Sequence, residues 1–288
     1  MALDYNTVMA FAALDQPFRY SDREVMLYAL SIGFGRDPLD ERELAFVYEK
    51  QLHAVPSFAS VATPGAFKLH DIGINYSKLL HGEYSIELHR PLPPQAEILA
   101  DVRVDGFWDK GADKGALLSM RADVRDRASG EPLYTARTGY FCRGDGGFLK
   151  LGEKEAAPAP APHALPERAP DFVCEVPTRV DQALLYRLNG DRNPLHAEPA
   201  LARAAGFERP ILHGLCSYGV CCKAVLATLC DYDASRIRSL GLRFSKPIYP
   251  GETIAVELWR DADTISFRAR AKERDVVVVN NGFCRLAS

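Results

Sequence analysis

The amino-acid sequence predicts an α+β protein made of two fused copies of one domain. Three observations carry that reading: the chain repeats itself at a fixed offset, its second half places one long apolar helix ahead of several alternating strands, and no helices separate those strands. At 288 residues the chain also exceeds the roughly 150 residues of an ordinary domain.

The repeat is direct. "RPLPPQAEILADV" at 90–102 lies over "KPIYPGETIAVEL" at 246–258, and "RDPL" at 36–39 over "RNPL" at 192–195, both 156 positions apart. A third echo, "GYFCR" at 139–143 and "GFCRL" at 282–286, follows in the same order at a smaller offset. Between the copies the Ala/Pro-rich stretch 151–171 has almost no large apolar residue and reads as a semi-extended linker, which puts the domains at 1–150 and 172–288.

The elements follow in chain order. In the first copy, "LLSMRADVRDR" at 117–127 alternates strictly, with Leu118, Met120, Ala122 and Val124 on one face of a strand. In the second copy, Asn189-Gly190 is a turn signature and Pro194 blocks helix continuation, so 189–196 is irregular; "EPALARAAG" at 198–206 then reads as a short helix closed by Gly206. Residues 214–230 have helical apolar spacing (Leu215, Tyr218, Cys222, Val225, Leu226, Leu229) over four turns and predict a buried helix. Strands are expected at 236–246, 252–260 and 264–274, the last with Ile265, Phe267, Ala269 and Ala271 on one face, and a final strand begins at Asp275. Antiparallel strands after one helix exclude a doubly wound parallel sheet and imply a curved sheet wrapped on that helix, twice. Trp108 and Trp259 are expected in strands or the core.

Composition narrows the function. Hydrophobic residues make up 47% and charged residues 25%, and no apolar run nears the ~20 residues of a membrane-spanning helix, so a soluble protein without a membrane partner is expected. The net charge of −3, with basic residues scattered, argues against nucleic acid but leaves room for a small phosphorylated ligand. Seven cysteines without a C-x-x-C pair suggest free thiols, and the termini carry no recognisable address; a cytoplasmic protein is the expectation.

Chemistry concentrates in "YRLNGDRNPLHAEPALARAAGFERPILHG" at 186–214. Asp191 and His196, five residues apart with Asn193 between them, form a compact acid/base pair able to hold one water. Taken singly, each could do no more than fold a turn or sit satisfied at the surface. Gly214 opens the predicted helix, where an unpaired backbone N–H and the helix dipole favour a developing negative charge; His213 is read as a structural residue capping or packing at that helix start. The repeat supplies an internal control. At the 156-residue offset Asp191 falls on Gly35, Asn193 on Asp37 and His196 on Asp40, so the first copy lacks the pair. A zinc site from His196, His213 and Cys216 fits no familiar spacing, and no metal is expected.

Those residues resemble the signature of the MaoC-like, R-specific 2-enoyl-CoA hydratases, and the two unequal copies are similar over the whole chain to the hydratase region of peroxisomal multifunctional enzyme type 2, with "LLHGE" at 79–83 and "WDKG" at 108–111 matching its first half. The resemblance implies a double hot-dog fold and hydration of trans-2-enoyl-CoA to (3R)-3-hydroxyacyl-CoA without a cofactor, with Asp191 and His196 activating water, Asn193 supporting them and Gly214 N–H receiving the thioester oxygen. It further implies substrate contacts at His81, Gly82, Lys110, Asp191, Arg192, Asn193, Pro194, Leu195, His196, Gly214 and Phe244. The first copy, without acid and base, would accommodate medium, long or bulky acyl chains. Hot-dog relatives pair, so a homodimer of fused chains is expected. A hot-dog thioesterase and a silent acyl-thioester binding subunit are the alternatives.

Overall fold

The computed structural model describes residues 3–63, 72–75, 78–149 and 158–287. Its first half contains α1 (Tyr5–Met9), β1 (Ala12–Tyr20), α2 (Asp22–Ser31), α3 (Glu41–Leu44), α4 (Ala59–Ala62), β2 (Leu79–Leu88), β3 (Ala96–Asp109), β4 (Ala116–Asp126) and β5 (Pro132–Cys142). The second half contains β6 (Phe172–Pro177), α5 (Gln182–Tyr186), α6 (Pro199–Ala204), α7 (Gly214–Leu229), β7 (Ile237–Phe244), β8 (Thr253–Asp261), β9 (Thr264–Ala271) and β10 (Val276–Leu286). Among the described residues no helix is long and apolar enough to cross a membrane.

All ten strands form one sheet in the order β1-β3-β4-β5-β2-β7-β10-β9-β8-β6. From the centre outward the halves run β2-β5-β4-β3-β1 and β7-β10-β9-β8-β6, the same order of equivalent strands. They join through the antiparallel β2–β7 ladder, in which Ser85 faces Gly241. Those two positions are 156 apart, so repeat mates meet at the join and a local two-fold relates the halves. This is a double hot-dog fold.

Side-chain alternation decides which way the sheet faces. Leu118, Met120, Ala122 and Val124 are all buried, as are Ile265, Phe267, Ala269 and Ala271. The second half wraps α7, which is buried along most of its length and packs on β6, β8, β7 and β2. The repeat mate of Gly214 is Phe58, and there the first half has only a 3₁₀ turn, Pro56–Phe58, followed by the four-residue α4. One long central helix among the described residues therefore serves a sheet built for two.

Part of the expected semi-extended linker packs on the sheet. Ser266, on the outward face of β9, is buried beneath His163, whose Nε2 lies 2.8 Å from its Oγ. Asn281 Nδ2 donates to His163 O (2.8 Å) and Trp259 Nε1 to Arg168 O (2.8 Å). An extended Pro-rich segment makes no internal backbone hydrogen bonds, so its carbonyls remain available to side chains of the sheet. The rest of that stretch, 151–157, lies outside the described residues.

The halves also interlock away from the sheet. Gln182 Nε2 donates to Ser31 O and Asn189 Nδ2 to Ser31 Oγ (2.9 Å), pairing α2 with α5. A buried ion pair ties α7 to α3, Lys223 Nζ to Glu43 Oε1 at 2.6 Å. Gly35 N–H (2.8 Å) and Tyr232 O–H (3.2 Å) donate to the same carboxylate. Gly35 is the repeat mate of Asp191, so this loop of the first half is occupied by a cross-half staple. All seven cysteines are free thiols, six of them buried, as their spacing suggested.

Candidate active site

The segment before α7 folds through local side-chain hydrogen bonds. Gly190, with φ +119°, turns the chain after a 3₁₀ turn at Arg187–Asn189. Asp191 Oδ1 then accepts Asn193 N–H (3.1 Å), and Asn193 Oδ1 accepts Leu195 N–H (3.0 Å), capping a second 3₁₀ turn, Pro194–His196. Two short polar side chains bonding the backbone two residues on are what the local sequence favours. Asn193 thus shapes the loop with its carbonyl. Arg187 reaches across to Arg192 O (3.1 Å). The chain continues through α6 and Gly206 (φ +87°), and Leu212 N–H bonds Ile248 O (2.7 Å), which returns residues 211–213 to His196.

His196 is buried, and its Nδ1 donates to Ile211 O at 2.8 Å. A carbonyl only accepts, so the ring proton sits on Nδ1 and Nε2 keeps a lone pair. His213 is also buried; its Nε2 donates to Asp191 O (3.1 Å), while its Nδ1 has no hydrogen-bond partner among the described residues. The two imidazoles stack with centroids 3.7 Å apart, and Tyr186 lies 4.9 Å from His213. One carboxylate oxygen of Asp191 and one ring nitrogen from each histidine fall within 4.8 Å of one another. Burial pushes the His196 imidazole below its usual range and His213 down to about 4, with the neighbouring His196 opposing the charge of His213. Both rings are neutral at pH 7.

These three residues are the set with metal-ligand spacing among the described residues. One nitrogen of each histidine is bonded to a backbone carbonyl, which fixes its ring and leaves the other nitrogen with its lone pair.

Gly214 begins α7, with His213 as the extended N-cap. Its N–H belongs to the first turn, which has no intrahelical acceptor. The Phe244 ring lies against this backbone: a Cβ on Gly214 would sit 3.2 Å from Phe244 Cε1. Phe244 in turn meets the His81 ring at 5.1 Å, and His81 meets Tyr140 at 5.4 Å.

The structure therefore gathers Asp191, His196 and Gly214 around the start of α7, with Phe244, His81 and Gly82 on the adjoining ends of β7 and β2. Arg192, Pro194 and Leu195 are in the intervening loop. Lys110 stands apart, on the turn after β3, in an open groove it shares with Phe141 and Arg143. His213, expected to cap or pack at the helix start, proves to be a direct neighbour of the cluster. Its position next to Gly214 was visible in the sequence, but only folding brings it against a residue seventeen positions earlier.

The fold and the paired groups beside a helix N-terminus define a MaoC-like protein of the double hot-dog class. Residues 162–281 match the MaoC-like domain and residues 18–144 match the N-terminal domain of multifunctional enzyme type 2 hydratase 2. The chain is 39% identical over 289 residues to the enoyl-CoA hydratase ChsH3 of Mycobacterium tuberculosis, covering 98% of each chain. It is 40% identical over 276 residues to a peroxisomal enoyl-CoA hydratase 2 of Arabidopsis thaliana, covering 91% of this chain and 89% of that one. The crystal structure of a MaoC-like dehydratase from Phytophthora capsici superposes with a TM-score of 0.87 at 33% identity, over 99% of both chains. The chain belongs to the MaoC-like enoyl-CoA hydratase 2 family.

Proposed function

We propose that this chain is a hydro-lyase that adds water reversibly and R-specifically to trans-2-enoyl-CoA thioesters in fatty-acid metabolism, yielding (3R)-3-hydroxyacyl-CoA. The observation that carries the reading is the convergence, in the second half alone, of a carboxylate and a neutral imidazole at the start of α7.

A water held between Asp191 and His196 Nε2 is activated by the pair and attacks C3. Electron density moves through C2 to the thioester oxygen, where Gly214 N–H and the positive end of α7 hold it. The pair then returns the proton to C2, and the enzyme ends as it began. His213 holds the Asp191 backbone, and its neutral ring places no charge beside His196. Asn193 and Arg192 act through the loop that carries Asp191. His81, Gly82 and Phe244 line the way in, and the substrate contact expected at Lys110 would lie further out, on the turn after β3.

The first half is assigned to accommodating the acyl chain, since Gly35 and Asp40 replace the acid and base and α4 is short. That supports medium, long or bulky acyl chains. Assaying purified protein against short, medium, long and branched trans-2-enoyl-CoA thioesters, with chiral analysis, tests the reading: strict preference for the four-carbon substrate opposes the acyl assignment, and release of free thiol would indicate a thioesterase instead. The reading extends to a cytoplasmic homodimer, to be checked by cell fractionation and light scattering; within one chain β2–β7 already supplies a two-fold joint between hot-dog units.

A further inference from the structure

We propose that Ser31, in the half that lacks the acid and base, is a positioning residue for the hydration: it fixes the loop that carries Asp191 relative to the helix start that carries Gly214 N–H. The inference rests on the hydratase reading, but part of its test does not require turnover. Ser31 is the last residue of α2 and is fully buried, with no exposed surface for a substrate to touch. Any effect it has on the reaction must pass through the groups it holds.

The loop that leads to Asp191 is thinly anchored. Gly190 is exposed, turns the chain with φ +119° and has open space where a Cβ would stand. Among the described residues, two side-chain hydrogen bonds reach 188–193 from outside the 186–196 loop. One runs from His213 Nε2, at the N-cap of α7, to Asp191 O (3.1 Å). The other runs from Asn189 Nδ2 to Ser31 Oγ (2.9 Å). Both partners of that second bond are held in one orientation. The Ser31 hydroxyl donates its proton to Tyr28 O (2.7 Å), which leaves its lone pairs for Asn189, and the second amide hydrogen of Asn189 goes to Tyr186 O (2.8 Å).

The end of α2 is itself fixed against α7. The two helices approach so closely at Gly219 that a Cβ there would lie 2.5 Å from Ile32 Cγ2 and 2.8 Å from Tyr28 Oη. Ser31 O accepts Cys216 Sγ–H in the first turn of α7 (3.6 Å) and Gln182 Nε2–H at the start of α5. Cys216 lies two residues after Gly214, and Asn189 two before Asp191. The end of α2, the start of α7 and the Asp191 loop therefore close a triangle: α2 packs on α7, His213 holds Asp191, and Ser31 holds Asn189. Without the Ser31 hydroxyl, Asp191 hangs from one of these bonds beside Gly190. The brace is also one-sided. At the 156-residue offset Ser31 falls on Arg187 and Asn189 on Gly33, so the mirror-image bond has no side-chain amide to donate it. It runs toward the half that keeps the acid and base.

Steady-state hydration of a trans-2-enoyl-CoA is measured for Ser31→Ala, Asn189→Ala, the double variant and Lys223→Met, each well below its melting temperature. The imidazole N–H signals of isotope-labelled histidine are read by NMR on the same proteins, with His213 assigned through His213→Gln. Lys223→Met is the control, since it breaks another buried tie between the halves, two turns further along α7. Misplacing a reacting group by about 1 Å can cost about 100-fold in rate, so loss of this one brace is expected to lower kcat about tenfold with KM within about twofold. The double variant should be no slower than the slower single, because both delete the same bond. Ser31→Ala should melt closer to the wild type than Lys223→Met does, yet shift the His213 Nε2–H signal, which reports on Asp191 O, while Lys223→Met leaves that signal in place. Wild-type kcat in Ser31→Ala, losses that multiply in the double variant, an unmoved His213 signal, or an equal loss of kcat in Lys223→Met overturns the assignment. Should Ser31→Ala not fold, Asn189→Ala removes the same bond and is held to the same criteria. A wild type that hydrates no enoyl thioester refutes the hydratase reading, and the His213 signal then decides by itself whether the brace stands.

Discussion

Gly214→Ala separates catalysis from folding. The added Cβ would lie 3.2 Å from Phe244 Cε1 and 3.4 Å from its Cδ1 and Cζ, so the ring must retreat by a few tenths of an ångström. Phe244 is half-buried at the end of β7 and packed edge-on with His81. Replacing Gly by Ala in a helix gains up to about 1 kcal/mol, and mild overpacking costs about 1 kcal/mol or more, so stability should change little. Activity should not be spared. The methyl group occupies the space beside the N–H assigned to the thioester oxygen, and disturbing such a donor costs roughly 10²–10³-fold in kcat. Thermal melting and the steady-state hydration of a trans-2-enoyl-CoA, followed through loss of enoyl absorbance, measure the two effects separately. A variant that melts like the wild type and hydrates at the wild-type rate refutes the assignment of Gly214.

Asp191→Asn should lower kcat by roughly 10²–10⁴-fold while leaving the melting temperature nearly unchanged, because the Asp191 side chain is exposed and its turn can be kept by the amide oxygen; full activity would remove it from the mechanism. His196 must be neutral to act, and burial lowers its pKa, so the acid limb of kcat/KM should lie below pH 6.5 with activity lost as pH falls through it; a limb at or above 6.5 refutes that role. Lys223→Met leaves Glu43 buried without its cation and should cost about 3–5 kcal/mol in urea denaturation, largely recovered by adding Glu43→Leu; an unaltered midpoint would show that the staple does not hold the halves together.

Repetition and period were legible in the chain because they are local or self-referential. The 156-residue offset makes Ser85 and Gly241 repeat mates, but that the two halves join through that pair is decided only by folding. The helix at 214–230 and the alternation in β4 and β9 follow from apolar spacing alone, and the irregular loop at 189–196 from Gly190 and Pro194. Asp191, Asn193, His196 and Gly214 were legible as a cluster because they fall within twenty-four positions of one another. The packing of 158–171 on the sheet was not legible in the sequence because its partners, Ser266, Asn281 and Trp259, are about a hundred residues away.

By itself, then, the sequence determined a repeated α+β unit, the order of its two copies and the half that keeps an acid and a base, all of which depend on residue type and spacing along the chain, while the double hot-dog fold was implied by the family resemblance. Only the tertiary structure decided that His213 stacks on His196, that Ser31 of the first half braces Asn189 of the second, that Lys223 fills the first half's corresponding loop, and that Lys110, Lys114 and Arg143 face one groove. The physical reason is distance. A turn or a helix face is fixed by neighbours within a few residues, whereas these contacts arise when buried faces from both repeats close on one another and bring together side chains with no relation in the linear sequence.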